Sequence, residues 1–241
     1  MSGRQFHLIY ILPNLFTAAS IFTAVIAIVS AIKGDFEKSA WLVLLSLVFD
    51  GLDGRIARLT HTTSRFGVEF DSLADIIAFG VAPAMLLYSF AAHEYGRLGI
   101  LVIALYIIFG AIRLARFNVM SPNTDPTVFI GVPIPAAAIF VSVWVLMFLE
   151  YDSLRGYTSL LLVFTMFVSL LMVSNIRYPS FKKINLRKPA LTKALIVLII
   201  AASMIYLYPV EGFAVFITVY ILWGVVRAVR TVVAKRVVKN S

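Results

Sequence analysis

The chain contains no cysteine, only three histidines, and charged residues at 14% of its 241 positions. The missing cysteine excludes disulfides, thiolate nucleophiles and cysteine-ligated zinc. His7, His61 and His93 share no metal-ligand spacing, and none belongs to a His-x-Lys pair. A metal therefore falls to oxygen ligands. There is also no internal repeat, no low-complexity run and no linker long enough to divide the chain, so one domain over 1–241 is expected. The shortage of charge is matched by an excess of apolar residues, at 61% with a mean hydropathy of +0.95, well outside the range of soluble domains. The chain reads as an integral membrane protein.

Eight apolar stretches approach the roughly 20 residues that a helix needs to cross a hydrocarbon core. They cover about 9–32, 39–57, 68–92, 98–119, 132–149, 157–176, 190–208 and 211–229. The expected fold is an all-α polytopic bundle of about eight transmembrane helices. The first stretch is too long for a signal peptide, holds Pro13 and Asn14, and lacks a basic leader, so it reads as a retained helix.

The net charge of +9 does not point to nucleic acid, because the basic residues are distributed by connection. Arg55, Arg58, Arg65, Arg113, Arg116, Arg177, Lys182, Lys183 and the cluster from Arg227 to Lys239 fall on the side of Arg4. Lys33, Lys38, Arg97 and Arg155 fall on the other. The positive-inside rule then puts both termini in the cytoplasm, and the basic tail faces anionic lipid headgroups. With no cysteine and no targeting segment, the expected location is a prokaryotic inner membrane.

Against this background four carboxylates stand out in DGLDGRIARLTHTTSRFGVEFDSLAD, residues 50–75. At 100° per residue Asp50, Asp53, Gly54 and Ala57 share one side of the second stretch, and Gly67, Asp71 and Asp75 form a stripe on the third. The polar turn HTTSR, 61–65, separates the two, so antiparallel neighbours can aim all four carboxylates into one cavity at the cytoplasmic ends. Packed together, they repel unless cations neutralise them. An oxygen-only set suits Mg²⁺ or Mn²⁺, and four carboxylates can hold two ions of the kind that clamp a phosphate during in-line displacement. The glycines and Ala57 leave room for a ligand or for the facing helix. Simpler roles stay open: an intramembrane carboxylate can cap a helix, relay protons or pair with an arginine, as Asp50 beside Arg113 would. A cation or proton pathway would need the carboxylates alone.

The same stretch fits every fixed position of D-x2-D-G-x2-A-R-x8-G-x3-D-x3-D and so resembles the CDP-alcohol phosphotransferases. The resemblance implies a membrane enzyme that transfers a phosphatidyl or similar group from a CDP-linked donor to an alcohol and releases CMP. It implies that Asp50, Asp53, Asp71 and Asp75 bind two divalent metals, with Asp75 also the general base. Gly54, Ala57, Arg58 and Gly67 would line the cytidine and diphosphate pocket, with Asn14 near the nucleotide. Homodimers are a further implication.

LPNLFTAAS (12–20), AIRLARFNV (111–119), FIGVPIPAAA (129–138) and SNIRYPSFKK (174–183) resemble the branch of this family that takes serine as acceptor and CDP-diacylglycerol as donor. An acceptor carboxylate calls for a bidentate cation, which arginine supplies better than lysine. Arg113 and Arg116, with Asn118 nearby, are the first candidates for it, and Arg177 with Lys182 the second. The same arginines also suit a phosphorylated acceptor such as glycerol phosphate or inositol phosphate, the donor's own phosphates, or topology alone. Direct displacement by the serine hydroxyl is expected. Pro133 and Pro135 in GVPIP would shape the first turn of the fifth helix.

Overall fold

The computed structural model describes residues 3–60, 62–120, 128–179 and 202–240, with side chains from residue 11 onward except at 128, 129, 177, 179 and beyond 230. The described chain is a helical bundle. Its helices are α1 (Gly3–Ile32), α2 (Phe36–Leu59), α3 (Arg65–Asp75), α4 (Ala82–Phe90), α5 (Gly96–Met120), α6 (Ile134–Glu150), α7 (Thr158–Val173) and α8 (Pro209–Asn240). Five spans are long and apolar enough to cross a membrane: Ile11–Ile32, Arg65–Phe90, Ala92–Met120, Asp152–Val173 and Pro209–Arg230. The chain is a multi-pass membrane protein. Of the expected stretch 190–208, only 202–208 is described, and it is helical over 202–207.

Small residues let α1 and α2 approach closely. Ala24, Ala27 and Ala31 on α1 and Ala40 on α2 are essentially inaccessible, and the Ser20 hydroxyl donates to the Ser46 carbonyl across the pair. Lipid gives no hydrophobic drive between helices, so such close contact and interhelical hydrogen bonds carry the association. The short helix α6 lies deep in the bundle, with Ile134, Ala137, Val141, Val143 and Val145 fully enclosed. Pro133 and Pro135 occupy its N-cap and first turn, as the GVPIP pattern leads one to expect.

Two features go beyond the expected all-helical bundle. The third stretch is interrupted: α3 and α4 are joined by a π-turn, Ile76–Val81, with i→i+5 bonding. And segments remote in sequence pair as an antiparallel ribbon, β1 (Val128–Ile130) on β2 (Arg177–Pro179), with Phe129 opposite Tyr178. Tyr178 is fully buried where α8 has Gly224; a Cβ there would lie 1.9 Å from the tyrosine ring. The ribbon is thereby pinned to the last helix.

Candidate active site

The turn between α2 and α3 brings the aspartates together. The Thr62 amide donates to the Ala57 carbonyl at 3.0 Å, and the Thr60 and Thr62 hydroxyls are 2.7 Å apart. Ser64 then caps α3 by accepting from the Gly67 amide at 3.0 Å. The chain thus reverses over a few residues, and the C-terminal turns of α2 face the N-terminal turns of α3. Oxygens of Asp50, Asp53 and Asp71 lie within 4.8 Å of one another. The Asp50 carboxyl is also within hydrogen-bonding reach of Asp71 and Asp75, so the fourth aspartate closes the set.

Asp53 has a partner from α1. The buried Thr17 hydroxyl lies 2.7 Å from Asp53 Oδ2 and 3.2 Å from the Pro13 carbonyl. With Asp53 ionised, the shorter contact takes the hydroxyl proton. Asp75 keeps one buried oxygen, Oδ1, without a hydrogen-bond partner. Its cationic neighbour is Arg113, whose electrostatic pull reaches Asp75. Arg113, weighed in the sequence as a simple partner for Asp50, exerts its pull on Asp75 instead, because α5 packs against the π-turn that follows Asp75.

A cleft partly open to solvent borders the cluster. Asn14, Thr17, Asp53, Gly54, Ala57, Arg58, Gly67 and Asp71 line it. Every residue tied to the nucleotide by the sequence resemblance thus borders one cleft. A Cβ on Gly54 would meet only the Arg58 side chain, at 3.5 Å, and would project into the open space. On Gly67 it would come within 3.2 Å of the capping Ser64 oxygen. The Arg58 side chain is exposed and turned to the cleft.

The residues present fit a divalent metal. Oxygens of three carboxylates lie within 4.8 Å of one another, close enough to share one ion, a fourth carboxylate carries an orphaned buried oxygen, and all the donors are hard oxygens.

The candidates on α5 separate. The Asn118 amide donates to the Ser72 hydroxyl on α3 at 2.9 Å, which places it beside the aspartate helix. Arg113 is 6% exposed and stacks on Phe117, 5.3 Å from the ring centroid. Arg116 is consumed by backbone. Its guanidinium donates to the carbonyls of Ile130, Met172, Val173 and Ser174 at 3.0–3.2 Å and reaches Asn175 Oδ1 at 3.4 Å. These carbonyls include the unpaired ones at the end of α7, where a cation is also favoured by the helix dipole. Gly131, with φ +76°, fits under the same guanidinium; a Cβ there would stand 2.2 Å from the Met172 oxygen and 2.9 Å from Arg116 Nη2. The Arg177 side chain and Lys182 lie outside the described residues. Thr17 was not among the sequence candidates, though it sits one turn past Pro13 and Asn14 in the LPNLFTAAS segment.

The profile of the CDP-alcohol phosphatidyltransferase family matches residues 10–171, and the chain belongs to that family. Among its curated relatives is the CDP-diacylglycerol–serine O-phosphatidyltransferase of Helicobacter pylori strain ATCC 700392 / 26695, 50% identical over 91% of each chain. The protein of the same name from Bacillus subtilis strain 168 is 36% identical over 71% of this chain and 92% of its own. An archaetidylserine synthase of Methanothermobacter thermautotrophicus is 37% identical over 74% of each.

Proposed function

We propose that this protein transfers the phosphatidyl group of CDP-diacylglycerol to the hydroxyl of L-serine, giving phosphatidylserine and CMP. The observation that carries the reaction class is the convergence of Asp50, Asp53, Asp71 and Asp75 beside a cleft bordered by Gly54, Ala57, Gly67 and Arg58. A cation or proton pathway has no use for the glycine floor and the exposed guanidinium; a nucleotide diphosphate needs both. Serine as the acceptor is supported by the names of relatives that match this chain over most of their length.

In this reading the four aspartates hold two Mg²⁺ or Mn²⁺ ions. Bound there, the ions offset the charge of the diphosphate and make CMP a better leaving group. Asn14, Gly54, Ala57 and Gly67 shape the nucleotide seat, and Arg58 faces the donor's phosphates. Asp75 accepts the proton of the serine hydroxyl as its oxygen attacks the phosphorus attached to diacylglycerol. The unpartnered Oδ1 leaves that carboxylate an acceptor free for the task. Arg113, with Asn118 nearby, is the first candidate to receive the serine carboxylate, and Arg177 with Lys182 the second. Arg116 has both terminal nitrogens engaged by backbone carbonyls and serves as a scaffold residue.

The chain 1–241 acts as one catalytic unit, and two copies form a homodimer. The distribution of basic residues supports termini and a cleft on the cytoplasmic side of an inner membrane. Lipid tails then stay in the bilayer while the headgroup enters the cleft.

The test is CMP release by purified protein in detergent with CDP-diacylglycerol and Mn²⁺ or Mg²⁺. Serine, glycerol 3-phosphate, inositol phosphate and ethanolamine are supplied one at a time. Release with serine alone, lost on chelation, is expected. Release with another acceptor instead would keep the reaction class and overturn serine, and no release with any would overturn both.

A further inference from the structure

The backbone just beyond Asp75 leaves the ordinary helical path. In the π-turn the Ala82 amide bonds the Ile77 carbonyl, five residues back. Isolated π-turns inside helices are uncommon, and they recur at functional sites. Pro83 follows at once and has no amide to give. In α register that missing amide is the one the Phe79 carbonyl would accept. This carbonyl therefore has no i→i+4 donor, at a depth where Ala78, Phe79 and Ala82 are all fully buried.

The donor comes from another helix. The Tyr106 hydroxyl on α5, itself fully buried, donates to the Phe79 carbonyl at 2.9 Å. One and two turns along the same face of α5 lie Gly110 and Arg113. Gly110 admits the Ile134 side chain of α6; a Cβ there would come within 2.6 Å of it. Arg113 is the cationic neighbour of Asp75. Since α4 and α5 are joined by a short turn, the bond from Tyr106 to Phe79 ties the face of α5 that carries Arg113 to the π-turn that follows Asp75.

We propose that Tyr106 is a positioning residue: its hydroxyl holds the π-turn in its widened form and so fixes the direction in which α3 presents Asp71 and Asp75 to the site and to Arg113. Without that donor the Phe79 carbonyl loses its tie to α5, and the turn is free to shift toward i→i+4 bonding at its other carbonyls. Removing the extra residue's worth of arc rotates α3 relative to α4 by about 100° if fully expressed. The proposal rests on the proposed function only for what Asp75 does once it is positioned.

The test compares wild type, Tyr106→Phe and the double variant Tyr106→Phe/Pro83→Ala, in which residue 83 regains an amide for the Phe79 carbonyl. Three quantities are measured on each: Tm, Mn²⁺ affinity without substrate from the electron paramagnetic resonance of free Mn²⁺, and kcat and KM for serine. The expected result is a lower Tm for Tyr106→Phe, with Mn²⁺ affinity and kcat each down about tenfold, the scale of disturbing groups that orient metal ligands. In the double variant Tm returns while Mn²⁺ affinity and kcat stay low, because the restored amide favours the α register. If affinity and kcat return together with Tm, Tyr106 only satisfies a carbonyl and the proposal falls. It falls equally if Tyr106→Phe binds Mn²⁺ like wild type, or if the double variant regains no stability. Should Tyr106→Phe fail to fold, the double variant alone decides by its Mn²⁺ affinity. A wild type that releases no CMP would sink the proposed function, while the Tm and Mn²⁺ measurements would still judge Tyr106.

Discussion

Two charged clusters lie at one end of the bundle, and they use their charge in opposite ways. Around Asp50, Asp53, Asp71 and Asp75, like charges are crowded together, one buried oxygen has no partner, and a cleft opens beside them. Around Arg116 a single cation meets four backbone carbonyls and a side-chain amide oxygen, and Gly131 packs beneath it without a gap. The first cluster is incomplete on its own and has work left for a ligand. The second is complete and holds the end of α7 to the chain before α6. Arg113 and Arg116 are one turn apart on one helix, yet they belong to different clusters. What separates them is whether the local backbone leaves the guanidinium anything to bind.

The sharpest way to break this comparison is to neutralise one member of the first cluster. Asp53→Asn should lower CMP release by about 100-fold or more, the scale of removing a group that stabilises developing charge. Its Tm in chelator should hold or rise, since a repulsive neighbour is gone. A drop in Tm equal to that of an ordinary core variant would mean that the aspartates are structural after all.

A smaller effect is expected one contact further out. Thr17→Val removes the hydroxyl that orients Asp53, and Mn²⁺ affinity should fall about tenfold, with Thr17→Ser restoring most of it. Titration of metal-free protein with Mn²⁺ measures this directly. Affinity unchanged in the valine variant would show that Asp53 needs no such partner.

The least change in turnover is expected at Arg116. Arg116→Lys leaves several carbonyls without donors, at about 1–3 kcal/mol for each that is buried. Tm should fall by several degrees, while kcat per folded molecule changes by less than about twofold. A large rise in KM for serine would instead return Arg116 to the acceptor site.

The aspartate cluster was legible in the sequence because charge inside apolar helices is costly and therefore conspicuous. Helical periodicity put the carboxylates on facing stripes, and the polar HTTSR run marked the reversal between them. The roles of the α5 residues were not legible. Arg113 and Arg116 have the same chemistry and similar neighbours, and only the path of residues 130–131 and 172–175 gives Arg116 its acceptors. The ribbon was hidden for a similar reason: β1 and β2 are three residues each, separated by a helical hairpin, with no strand periodicity to read. Thr17 passed as one more small residue in an apolar helix until Asp53 was placed against it. Pro83 lies in the third stretch, but neither it nor its sequence neighbours say that Tyr106 donates to the Phe79 carbonyl.

The short reversal between α2 and α3 gives the spacing in the motif a mechanical meaning. The eight residues between Arg58 and Gly67 contain the end of one helix, a hydrogen-bonded turn and the cap of the next. One residue inserted inside α3 between Gly67 and Asp71 would swing the later aspartates by about 100°. One inserted in the turn would unseat Ser64 from its cap and slide the two helices past each other. The site should therefore be far more sensitive to a change in length here than to a change of side chain between its fixed residues. The interval is a ruler, and an enzyme redesigned with a new loop at this point would have to reproduce its length before its chemistry.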